Sequence, residues 1–383
     1  MKLIGTLLLV VIGAANCCGA ETPDFQREVR PLLAKHCWKC HGLDAEARQG
    51  GLRLDERKAA VAPAESGRAA IVPGKPANSE LMRRVETQDA ARRMPPPDAG
   101  RALTPSEVAM LRRWIESGAE YRRHWAFEPL RKAVPPPHEG GRNPIDAYVA
   151  AEHRARGLRF APESDRATLL RRASLDLTGL PPSLDDRERL ETESFEETVD
   201  RLLSSPALGE RLATDWLDAA RYADTDGYFG DKPRQVWLWR DWTIRAFNEG
   251  MPYDQFTIEQ LAGDLVPNAT VAQRVATGFN RNHMANDETG LIDEEFRVEY
   301  VFDRVETTMS TWLGLTAGCA QCHDHKYDPL SQREYYQLFS LFNNVPERGL
   351  LVGSNGPPKI TVLTAEQERE LQRLATERAA TDQ

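Results

Sequence analysis

The 383-residue chain has little of what would mark it as fibrous, disordered or nucleic-acid binding. Glycine (26) and proline (25) stand near ordinary usage, which excludes collagen-like and low-complexity architectures. Basic residues are outnumbered, 49 Lys and Arg against 58 Asp and Glu, for a net charge of −9. A phosphate backbone needs a basic face, so nucleic acid is not an expected partner. Past the first residues no run is long and apolar enough to span a bilayer. Cysteine is scarce, with six residues in all. What remains, 41% hydrophobic and 28% charged, describes a soluble globular chain of two or three domains.

Residues 1–20 read as an export signal rather than as part of the fold. Lys2 precedes an apolar run from Leu3 to Ala15, and small residues end at Ala20, where cleavage is expected. Cys17 and Cys18 raise lipid attachment as an alternative, but Ala15-Asn16 before them suits it poorly. The expected location is therefore periplasmic or extracellular. Charge is unevenly spread. Residues 21–133 carry 21 Lys and Arg against 16 Asp and Glu, whereas 134–383 carry 27 against 42. A basic first part able to dock on an acidic second part is the expectation from charge alone.

Apolar spacing predicts helices nearly throughout. Asp24–Lys35 places Phe25, Val29, Leu32 and Leu33 on one face, with Pro31 as its weak point. Thr104-Pro105-Ser106-Glu107 is a capping box with proline at the first helical position, and Gly118 ends that helix. Pro135-Pro136-Pro137 with Gly140-Gly141 marks a linker. Beyond it, helices are expected at 145–156, 166–175, 195–203, 210–222, 236–247, 271–279, 294–313 and 335–342. The expected organisation is a signal at 1–20, a small domain at 21–123, a linker at 124–142, a larger all-helical domain at 143–346, and a segment at 347–383 ending in a polar helix. No repeat appears beyond the two cysteine motifs.

Without Cys17 and Cys18, four cysteines remain in two pairs of identical spacing, Cys37-Trp38-Lys39-Cys40-His41 and Cys319-Ala320-Gln321-Cys322-His323. An exported chain can use four cysteines as disulfides, but a His directly after each pair is the signature of covalent haem attachment. Two thiols bond one edge of the macrocycle, and the adjacent imidazole reaches the iron. Met94, in the proline-locked Met94-Pro95-Pro96-Pro97, is the expected distal ligand of the first iron, which would raise its potential. Trp114 is placed near the macrocycle edge. A disulfide or zinc pair at Cys37 and Cys40, with Met94 a packing residue, is the bland alternative, but a zinc site wants four ligands and no second pair lies nearby.

Phe25–His41, Gly50–Asp55 (GGLRLD), Met94-Pro95-Pro96 and Leu103–Ala119 together resemble a class I cytochrome c domain, and more closely the planctomycete-type cytochrome c domain. The resemblance implies that residues 24–120 form a small helical haem domain.

The second motif has different surroundings. It is followed by Asp324-His325-Lys326, and no methionine occurs after Met309. The expected distal ligand is Met284, then His283, then an open position. Cys319, Cys322, His323 and His325 as a zinc or iron site is the alternative. Leu170–Pro182, Arg221–Gly227, Arg240-Asp241-Trp242, Pro252–Pro267, Glu299–Pro329 and Tyr335–Asn344 resemble a planctomycete cytochrome-like domain of unknown function. That resemblance implies haem at the second motif and no established reaction.

The expected function is therefore electron transfer by a dihaem c-type cytochrome serving a redox partner protein. Cys37, Cys40, Cys319 and Cys322 would hold two haems c, with iron bound by His41 and Met94 at the first and by His323 at the second. One alternative is a peroxidase-like oxidoreductase with a catalytic second haem. Another is a polysaccharide- or partner-binding module with a metal or disulfide at the second motif. Asp224, Asp226 and Asp231 as a calcium loop, and Trp237, Trp239 and Trp242 as sugar contacts, are weaker readings beside a helix-ending turn and a packed core.

Overall fold

The computed structural model describes residues 22–137, 143–350 and 356–381. The leader at 1–20 with Cys17 and Cys18, and Gly140-Gly141 of the expected linker, lie outside the described residues. Among the described residues there are sixteen α-helices and no strands, only three isolated β-bridges. The fold is mainly α, as the apolar spacing implies. No described helix is long and apolar enough to cross a membrane. The chain divides between Ala133 and Val134 into two compact units.

In the first unit α1 is Arg30–His36, α2 Trp38–His41, α3 Arg57–Val61, α4 Glu80–Glu86 and α5 Pro105–Glu116. The single helix expected from Asp24 is instead a wide turn at Phe25–Val29 running into α1. Pro31 has no N–H to continue an ordinary ladder, and the Arg30 N–H bonds back to the Phe25 carbonyl. The Thr104–Glu107 capping box forms as spaced, and Gly118 takes φ +107° just past α5. Phe25, Leu33, Ile71, Leu111, Trp114 and Ile115 share one core. Trp114 is 1% exposed there, stacked on Phe25 at 5.7 Å and tilted against Tyr121 at 5.3 Å. It thus joins residues from the two ends of the unit.

The second unit holds α6 Pro144–Ala155, α7 Arg166–Thr178, α8 Leu184–Glu188, α9 Phe195–Leu203, α10 Pro206–Ala219, α11 Trp237–Asn248, α12 Tyr253–Ala262, α13 Val271–Ala276, α14 Asp293–Leu313, α15 Gln332–Phe342 and α16 Ala365–Thr381. Helix α10 begins four residues before the apolar spacing indicated, because Ser205 caps it and Pro206 fits its first turn. It lies close against α11 at Gly209, where a Cβ would come within 2.4 Å of the Ile244 carbonyl oxygen. Trp239 and Trp242 are core residues with Phe256 and Phe279, and only Trp237 is substantially exposed. Helix α14 carries Val301, Val305 and Met309 into a second core with Tyr335 and Phe342 of α15. Gly314 closes it in the left-handed conformation, directly ahead of the second cysteine motif.

Candidate haem motifs and a buried polar cluster

One helical turn presents the first motif. Helix α1 ends at His36, and the N–H groups of Cys40 and His41 both bond to the Cys37 carbonyl, at 3.2 and 2.9 Å. Both cysteines are free thiols. Gly42 is required immediately after, since a Cβ there would sit 2.4 Å from the Trp38 carbonyl oxygen. The His41 Nδ1 lies 3.2 Å from the Gln49 carbonyl oxygen. That contact favours a proton on Nδ1 and leaves Nε2 as the basic nitrogen, the arrangement an iron-ligating imidazole uses. Burial lowers the His41 pKa, with the Gln49 bond opposing it. Burial pushes the Cys37 thiol up to about 12, and neighbouring Cys40 adds to the rise. Met94 is tied by its own N–H to the Arg84 carbonyl at 2.9 Å, and its residue is 37% exposed. Its thioether is therefore not part of the packed core.

The second motif repeats this donor set on an exposed surface. Cys319 opens off a short tight helix at Gly318–Gln321, and Cys319 and Cys322 are exposed free thiols. His323 Nδ1 meets the Asp324 carbonyl oxygen at 2.8 Å, again leaving Nε2 open. Helix α15 clamps the loop from behind. Gln332 Nε2 and the Tyr336 hydroxyl both donate to the Gln321 carbonyl at 3.1 Å, and the Gln332 N–H donates to Asp324 Oδ1 at 2.8 Å. His325 is buried, and its Nδ1 accepts the Asp328 N–H at 2.8 Å. It shapes the loop and does not join Cys319, Cys322 and His323 into a four-ligand set. Among the described residues no three His, Cys, Asp or Glu side chains are grouped to hold a metal ion, which also removes the Asp224, Asp226 and Asp231 calcium reading.

Of the two residues ranked as distal ligands of the second iron, Met284 is exposed and His283 is engaged by hydrogen bonds. Met284 rests on Gly227, where a Cβ would come within 2.8 Å of its sulfur. His283 is buried, its Nδ1 2.8 Å from the Met284 carbonyl oxygen and its Nε2 3.1 Å from an Arg304 nitrogen.

Residues 144–347, more than half of the chain, match the family PSCyt2, described as a protein of unknown function (DUF1549). The chain belongs to the PSCyt2 family. Ahead of that domain, residues 37–98 match PSCyt1, the planctomycete cytochrome C family, so the order expected from the motifs is the order found. The PSCyt1 match points to a c-type cytochrome domain over these residues and implies covalently bound haem c. No curated protein and no solved structure matches.

Within the PSCyt2 domain the polar segment 280–286 is largely buried. The Arg234 guanidinium donates to the carbonyls of Arg281, Asn282 and His283 at 3.3, 3.1 and 2.8 Å. Arg304, 2% exposed on α14, donates to the Asn280 carbonyl at 2.7 Å and pairs with Glu347, which Arg281 also meets. The His283 ring stacks on Tyr300 at 4.4 Å. Burial alone would raise the Glu347 pKa, but the His283 hydrogen bond and the Arg304 charge prevail and hold it down at about 2. Burial lowers the His283 pKa and raises that of Asp226. Several buried atoms here have no partner among the described residues: both Asp226 oxygens, both Asn282 amide atoms, Asn280 Oδ1 and one Arg304 nitrogen. The separate residues Asp226, Asn280, Asn282 and Arg304 carry no motif that sequence spacing could have joined. Only the mixed Asn/Arg/His composition of 280–283 signalled them.

Proposed function

We propose that this c-type cytochrome is an exported dihaem electron carrier, with Cys37, Cys40 and His41 holding one haem and Cys319, Cys322 and His323 the other. The observation that carries the reading is shared by both motifs. Each pairs two free thiols with an imidazole whose Nδ1 is engaged by a backbone carbonyl, Gln49 or Asp324, leaving Nε2 for iron. The thiols and the imidazole are not gathered around one point, as suits sulfurs that bond a macrocycle edge while nitrogen alone binds the metal. When bound, the haem supplies a one-electron iron couple. The protein's part is to fix His41 and His323 in one tautomer and to offer Met94 from an anchored backbone. A methionine at the first iron raises its potential, and solvent exposure also tunes potential, so the exposed second motif is the expected donor to the first.

A second reading has its own support. His283 is held by the Met284 carbonyl and by Arg304, and an open distal position at the second iron would make the protein a haem oxidoreductase fed by the first domain.

Pyridine haemochrome analysis of the exported chain tests the main reading. Two haems per chain, falling to one in Cys319→Ala/Cys322→Ala, is the expected result. One haem, unchanged by the substitutions, refutes it. Carbon monoxide binding to the second haem separates the two readings, since a six-coordinate carrier resists it.

A further inference from the structure

Asp324 and His325 directly follow the second cysteine motif, and Asp324 touches two parts of the fold at once. Its main-chain carbonyl accepts from His323 Nδ1 at 2.8 Å, while its side-chain Oδ1 accepts the Gln332 N–H at 2.8 Å. Gln332 opens helix α15, where the first N–H groups have no partner within the helix and favour a carboxylate. One exposed residue therefore bridges a helix start and an imidazole. His325, buried behind it, holds the bridge in place. Its N–H donates to the Leu330 carbonyl at 2.8 Å and its Nδ1 accepts the Asp328 N–H at 2.8 Å, which closes the turn that returns the chain to α15.

The same helix grips the motif from the other side. Gln332 Nε2 and the Tyr336 hydroxyl, one turn apart on α15, both donate to the Gln321 carbonyl at 3.1 Å. Cys322-His323 thus lies between two residues, Gln321 and Asp324, that are each tied to α15. The helix is itself anchored, since Tyr335 and Phe342 pack in one core with Val301 and Val305 of α14. An exposed ring gains little orientation from packing, so the aim of His323 depends on its bond to the Asp324 carbonyl. A hydrogen bond from Nδ1 also makes Nε2 a more basic ligand. A more basic ligand favours oxidised over reduced iron and lowers the potential.

We propose that Asp324 is the positioning residue for His323: anchored to α15 through its carboxylate, it fixes the tautomer and aim of the imidazole and holds down the potential of the second haem. Such a role presupposes haem at Cys319, Cys322 and His323, the dihaem reading above.

Redox titration of the full exported, haem-loaded chain, with haem counted by pyridine haemochrome, compares wild type with Asp324→Ala and Asp324→Asn. Both substitutions remove the same charge from an exposed site, but only asparagine keeps an oxygen able to accept the Gln332 N–H. Asp324→Ala should therefore raise the potential of the second haem above that of Asp324→Asn. The expected size is about tenfold in the ratio of reduced to oxidised haem at a fixed potential, the lower end of what an outer partner of a metal ligand contributes. The first haem serves as the internal control. Loss of the second haem in Asp324→Ala with its retention in Asp324→Asn supports the same role. Two haems in wild type, with the second affected alike by both substitutions or by neither, overturns the role of Asp324 and leaves the dihaem reading intact. One haem per wild-type chain overturns both.

Discussion

Replacing Glu347 by glutamine should destabilise the PSCyt2 domain by about 3–5 kcal/mol, because it removes the carboxylate that pairs with Arg281 and Arg304 and leaves the buried Arg304 and the part-buried Arg281 guanidinium groups uncompensated. The structure supports this size independently. A carboxyl held at about 2 is favoured in its charged form by about 3 kcal/mol over its ordinary state. His283, Arg281 and Arg304 face it. In a domain of this length each kcal/mol shifts the melting temperature by about 2–4 °C, so the transition should fall by roughly 10 °C. The sign with pH follows from the depressed value. The stabilisation is complete above the ordinary carboxylate range and is lost as pH falls through about 2, so the gap between wild type and variant narrows in acid. Urea titrations at several pH values, followed by tryptophan fluorescence, read both quantities. Arg348→Ala, which breaks an exposed pair with Asp293, serves as the control and should change stability by less than about 0.5 kcal/mol. A Glu347→Gln cost below about 1 kcal/mol, or a gap that does not depend on pH, would refute the argument.

Other outcomes follow from the motifs and caps. In haem-free protein at pH 8, an alkylating reagent should label Cys319 and Cys322 quickly. Cys37, its thiol held up at about 12, should react roughly 1000-fold more slowly than an ordinary cysteine, as peptide mass mapping over time would show. Met94→Ala should lower the potential of the first haem while leaving haem content unchanged, read by redox titration. Thr104→Ala removes the acceptor for the Glu107 N–H at the start of α5 and should cost about 1 kcal/mol in thermal unfolding. The Arg101 hydrogen bond keeps the Glu107 carboxyl well below the usual range, so this pair's contribution persists above pH ~4.3 and fades only in strong acid.

Local chemistry was legible and tertiary commitments were not. The capping box at Thr104, the long α14 and both cysteine motifs depend on residues close in sequence, and each formed where spacing placed it. The start of α10 at Pro206 was missed because an apolar count ignores Ser205 and proline, which act through the backbone. The packing of Trp114 and Met284 was not legible in the sequence. Their neighbours, Phe25 and Tyr121 in one case and Gly227 in the other, lie 57 or more residues away or across a turn from them in sequence. The Asp226 cluster was hidden for the same reason, since Arg304 joins it from a different helix.

The contrast between the two pairs of thiols bears on the order of maturation. Cys37 packs against the core of its unit, whereas Cys319 and Cys322 stand on the surface. An attachment enzyme reaches the first motif most readily while that segment is still emerging and unfolded, but it can reach the second after the fold has closed. A chain that folds before it meets haem should therefore accumulate with the second group attached and the first missing.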